Sequence, residues 1–91
     1  MSSKLFKIGE YAAHGKWKVI VNRETSTVEF SGIDWNTDKE VERIEFTCPT
    51  RNQLVESLTE VMSSYWAEKI IEYVETVTTL TQPTFTMFSN L

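Results

Sequence analysis

Residues 16–31 read Lys16-Trp17-Lys18-Val19-Ile20-Val21-Asn22, then Arg23-Glu24-Thr25-Ser26, then Thr27-Val28-Glu29-Phe30-Ser31. Trp17, Val19 and Val21 alternate with Lys16, Lys18, Ile20 and Asn22, while Val28 and Phe30 alternate with Thr27, Glu29 and Ser31. Successive side chains on a strand point to opposite faces, so this period of two marks strands with one face buried. The polar residues between them form a turn. Antiparallel pairing that sets Val21 opposite Val28 and Val19 opposite Phe30 gathers the apolar side chains on one face.

The same alternation continues on both sides. Phe6 and Ile8 alternate with Leu5, Lys7 and Gly9, and Ile44, Phe46 and Cys48 alternate with Arg43, Glu45 and Thr47. Setting Ile8 opposite Val19 and Phe6 opposite Val21 adds a first strand. Setting Phe30 opposite Phe46 and Val28 opposite Cys48 adds a fourth, with Cys48 on the buried face. The prediction is a four-stranded antiparallel meander with one apolar face. After Phe30 the apolar positions move to Ile33 and Trp35, so a bulge is expected at Gly32, with Trp35 opposite Val41.

Cys48-Pro49 ends the last strand, and Thr50-Arg51-Asn52-Gln53 has the form of a capping box. From Leu54 to Val77, apolar residues recur at three- and four-residue steps, which predicts one long amphipathic helix over residues 51–77. Such a helix is about 40 Å long, whereas strands of seven residues span about 23 Å. The stripe also rotates: Leu54, Leu58, Val61 and Tyr65 face one direction, and Trp66, Ile70, Tyr73 and Val77 face about 100° further round. The distal helix therefore needs other cover. A break near Ser63-Ser64, the tail or a second protomer would supply it. The expected organisation is an α+β ββββα domain over residues 1–81, with an apolar extended tail, residues 82–91, that packs on the domain or on a second protomer. Trp66, Ile70, Tyr73 and Val77, with Phe85, Met87 and Phe88 of the tail, are the expected protein interface of a homodimer.

The 91 residues carry nine basic and thirteen acidic side chains, for a net charge of −4. That charge is unevenly placed. Residues 1–23 hold five basic residues against Glu10 alone, and residues 24–91 hold the other four against twelve acids. One cysteine and one histidine exclude disulfide scaffolds and zinc ribbons. No apolar run reaches the ~18 residues of a membrane span, and Met1-Ser2-Ser3-Lys4 leads into a segment too polar for a secretory signal. A cytoplasmic protein is expected.

The chemistry visible in the sequence is sparse. His14 falls in a hairpin turn without an orienting acid beyond Glu10, and the glycines at 9, 15 and 32 form no phosphate loop. Asp34, Asp38 and Glu40 lack the ligand series of a calcium loop. No catalytic residue, cofactor or metal is predicted, and the chain is read as not an enzyme. Lys7, Tyr11, Lys16 and Lys18 fall on the face away from the helix, joined by Trp35 after the phase change. Cations interleaved with aromatic rings on an open sheet suit single-stranded nucleic acid, although the net charge and Glu29 and Glu45 on the same face disfavour it. Diagonal pairing of Lys18 with Glu29 gives that lysine a structural reason.

Four antiparallel strands followed by a helix resemble the repeat unit of the Whirly and Pur families of single-strand binders. That resemblance is one of topology and implies dimerisation through the helices. No residue-level motif accompanies it, so no functional residue is carried over. The expected function is a non-catalytic, homodimeric interaction or regulatory module with an unidentified protein partner. The alternative is a single-stranded nucleic-acid binder acting through Lys7, Tyr11, Lys16, Lys18 and Trp35.

Overall fold

Four strands and two helices follow one another in the computed structural model, which describes residues 2–9 and 14–78. The strands are β1 (Ser2–Lys7), β2 (Lys16–Asn22), β3 (Thr27–Ile33) and β4 (Glu40–Thr47), and the helices are α1 (Arg51–Leu58) and α2 (Ser64–Thr78). The strands form one antiparallel sheet in sequence order. The tail of residues 82–91, with Phe85, Met87 and Phe88, lies outside the described residues, as does Tyr11.

The β2–β3 register is the one the alternation predicts, with Val21 opposite Val28 and Val19 opposite Phe30. The turn is held by the Asn22 side chain, whose Oδ1 accepts from the Glu24 and Thr25 amides at 3.0 and 3.3 Å. The other two registers differ from expectation by even steps. Phe6 lies opposite Trp17 rather than Val21, and Lys4 rather than Ile8 lies opposite Val19. A long connection between β1 and β2 leaves the register to side-chain packing, and Phe6 settles against Trp17 and edge-on to Tyr73. On the other side, Phe30 faces Ile44 and Val28 faces Phe46.

That second shift carries Cys48 beyond the end of β4. It is exposed, not buried as expected, and its backbone is left-handed with φ 47° while its amide donates to the Ser26 carbonyl at 2.7 Å. The expected distortion at Gly32 occurs, between Gly32 and Ile33, but the extra residue is Val41 on β4. Trp35 does not pair with Val41. It belongs to a turn in which the Asp34 carboxylate accepts from the Asn36 and Thr37 amides.

The predicted single helix is two helices. The capping box at Thr50 and Gln53 starts α1 as expected. At its other end the Thr59 hydroxyl donates back to the Val55 carbonyl at 2.7 Å, competing with helix continuation. Ser63 then opens α2, its carbonyl accepting from the Ala67 amide and its Oγ from the Trp66 amide. The break has a packing cause. Leu54 and Leu58 on α1, and Ala67, Ile70, Ile71 and Val74 on α2, are all buried, and one straight helix cannot turn both stripes to the same sheet. Helices of about 12 and 22 Å fit strands of about 23 Å, so the length mismatch disappears. Arg51 ties the helices together, donating to Glu68 at 2.6 Å and Glu75 at 2.9 Å.

These side chains close a core with Phe6, Trp17, Val19, Val21, Val28 and Phe30 from the sheet. The helices cover that face. The opposite sheet face has no covering layer among the described residues.

Candidate interaction surface

Alternation places Leu5 and Lys7 of β1, Lys16, Lys18 and Ile20 of β2, Glu29, Ser31 and Ile33 of β3, and Arg43 and Glu45 of β4 on the uncovered face. Charge divides across it. On β3 and β4 the one cation is shared among acids: Arg43 Nε lies 2.7 Å from Glu29 and 3.2 Å from Glu40, and Glu45 is directly opposite Glu29. The buried Ser31 hydroxyl donates to Glu40, and these contacts hold the Glu40 carboxyl below the usual carboxylate range.

The β1–β2 half is different. Lys7 lies directly opposite Lys16, and Lys18 directly opposite the exposed Leu5. Lys16 pairs with Asp38 and lies over the Trp35 ring. Among the described residues neither Lys7 nor Lys18 has an ion-pair partner. The diagonal Lys18–Glu29 pairing expected from the sequence is not made, because Arg43 takes Glu29. Two exposed cations therefore flank an exposed leucine on an open sheet.

Of the residues proposed for nucleic-acid binding, the structure brings Lys7, Lys16 and Lys18 onto one face. Trp35 is half-buried beneath Lys16 and against Gly15, where a Cβ would approach its ring to 2.6 Å. One face of that ring is thus occupied by a cation. Of the proposed protein-interface residues, Ile70 is fully buried within the chain, and Trp66, Tyr73 and Val77 are half-buried against the core. Tyr65, which the sequence reading turned toward the sheet, is 62% exposed, with Lys69 over its ring.

Sequence reasoning missed one constellation. His14 Nε2 lies 2.7 Å from Glu42 Oε2, its ring is edge-on to Trp17, and it rests on Gly32. A histidine oriented by a glutamate is the arrangement of a general base. Here the geometry is closed: Nε2 is engaged by Glu42, and Nδ1 is buried without a partner. The pair instead anchors the β1–β2 connection to β4. Alternation with Ile44 and Phe46 places Glu42 on the helix side of the sheet, but no local pattern brings His14, in the β1–β2 connection, against it.

Among the described residues, no three His, Cys, Asp or Glu side chains are placed to hold a metal ion, and no helix is long and apolar enough to cross a membrane. The chain matches no protein-family model, no curated protein and no solved structure.

Proposed function

We propose that the chain is a non-catalytic interaction module and that its working surface is the uncovered face of β1 and β2. The observation that carries this reading is the pair of exposed lysines, Lys7 and Lys18, that flank Leu5 and have no ion-pair partner among the described residues. Proteins commonly satisfy surface charges across strands, and Arg43 pairs with Glu29 in this way. The β1–β2 half offers cations and apolar surface together, which suits an anionic partner with apolar side chains of its own. The closed His14–Glu42 pair supports a non-catalytic reading, since Nε2 is engaged by Glu42 and Nδ1 is buried away from any substrate.

An acidic protein segment suits this surface better than single-stranded nucleic acid. Nucleic-acid binding gains from Lys7 and Lys18, but the stacking platform it needs is reduced to Trp35, already covered on one side by Lys16. Fluorescence anisotropy separates the two. A labelled peptide of alternating Glu and Val should bind at low salt and lose about tenfold in affinity when Lys7→Glu and Lys18→Glu are combined. Tighter binding of a labelled oligothymidine, with the same dependence on the two lysines, would favour the nucleic-acid reading. Indifference of both probes to the double substitution would overturn the proposed surface.

Self-association belongs to the proposal as a second contact. The helix break removes the length argument for it, and its support is now Trp66, Tyr73 and Val77, half-buried on α2. Solution mass across a range of concentrations tests it, and a strict monomer would remove it.

A further inference from the structure

We propose that β1 accepts an extended acidic segment of a partner protein as a fifth strand of the sheet. This rests on the reading of the β1–β2 surface above and specifies how the partner is held. β1 is at the end of the sheet, so alternate backbone amides and carbonyls along it have no strand beside them among the described residues.

The two edges of the sheet are built differently. β4 carries the register shift at Val41 and the acidic residues Glu40, Glu42 and Glu45, devices that discourage pairing with another strand. β1 has neither. It pairs with β2 through six consecutive residues without irregularity, and its sequence Ser2-Ser3-Lys4-Leu5-Phe6-Lys7 contains no proline and no acid. A strand of this length offers about 20 Å of pairing edge.

Its side chains state what would pair with it. Lys7 points to the uncovered face, where Lys18 stands on the next strand. Lys4 points to the helix side, its Nζ 5.1 Å from the Phe6 ring centroid and 5.7 Å from that of Tyr73. An added strand therefore meets a cation on each face of the sheet, with Leu5 on one side and Phe6 on the other as apolar neighbours. Cross-strand pairs of opposite charge stabilise a sheet and like charges oppose it. The complementary occupant is an extended segment with acidic side chains on both faces and apolar ones between. A second copy's β1 carries no acid to meet Lys4 and Lys7, so an acidic segment is the better match.

Strand addition binds through the backbone, which separates it from adsorption on a charged face. The experiment uses the full chain with two peptides of equal charge: a peptide repeating Glu-Glu-Val-Val, which as a strand carries acids on both faces, and the same peptide N-methylated at every second amide so that one edge cannot donate. The unmodified peptide should bind, slow hydrogen exchange at β1 amides, and lose about tenfold in affinity on N-methylation or on combining Lys4→Glu with Lys7→Glu. Circular dichroism establishes that the variant is folded. Equal binding of both peptides, still dependent on Lys7 and Lys18, overturns strand addition and leaves the β1–β2 surface standing. Binding of neither overturns both. Slowed exchange at β1 that rises with protein concentration alone, without peptide, identifies a second copy as the occupant and overturns the assignment to a foreign segment.

Discussion

Gly32 shows how closely one position in this protein is fitted. A Cβ there would lie 2.9 Å from His14 Cδ2, 3.0 Å from His14 Cγ and 3.1 Å from Trp17 Cη2. The imidazole can yield, because His14 is partly exposed, but Trp17 is fully buried. Gly32→Ala should therefore destabilise the fold by about 1–3 kcal/mol, the usual effect of overpacking. Urea denaturation measures it. Combining Gly32→Ala with His14→Ala should cost less than the sum of the two, since removing the ring relieves part of the crowding. Strict additivity would show that the ring and the glycine are energetically independent. Cys48 makes the same point about context. The alternation puts it on the buried face, and the register carries it into an exposed left-handed turn.

At the scale of elements, the start of α1 is local chemistry. The Thr50 side chain accepts from the Gln53 amide, and the Gln53 side chain accepts from the Thr50 amide at 2.9 Å, so both donors are satisfied by residues three apart. Thr50→Ala should cost about 1 kcal/mol, read as a lower denaturation midpoint with an unchanged slope. Arg51 follows at the first helical position, where the helix dipole disfavours a cation; Glu68 and Glu75 of α2 offset this and hold its guanidinium firmly charged. Strand registers illustrate the reverse case. The β1–β2 and β3–β4 pairings are displaced from their expected positions by four and two residues. Even displacements leave every side chain on the same face, so alternation is blind to them. It distinguishes inside from outside, and the choice among even registers falls to Phe6 meeting Trp17, and to Ile44 and Phe46 meeting Phe30 and Val28.

For the whole molecule, two carboxylates link stability to pH. Asp34 is held below its ordinary value by the Thr37 and Asn36 amides, and Glu40 by the Ser31 hydroxyl and then Arg43. The folded chain keeps both ionised more firmly than the unfolded chain does, so in acid the unfolded state binds more protons. Their contribution is fully present above the carboxylate range and is lost as pH falls below about 4. Thermal midpoints should be level through neutral pH and drop across that range. In the Asp34→Asn, Glu40→Gln double variant that drop should be shallower. Tyr73 is shifted the other way by burial, so its contribution fades only in strong alkali.

The sequence by itself determined the number and order of the strands, the face each strand buries, the hairpin at residues 23–26 and the start of the first helix. All of these follow from interactions within a few positions along the chain, or from a period of two that any even register preserves. Only the tertiary structure decided that the long apolar stripe is two helices, because both stripes must meet one sheet. It also decided that Glu29 pairs with Arg43 and not with Lys18. The His14–Glu42 contact spans 28 positions and joins the β1–β2 connection to β4, so it exists only once the sheet has assembled. Long-range pairings such as these depend on where whole strands come to rest, and no local pattern carries that information.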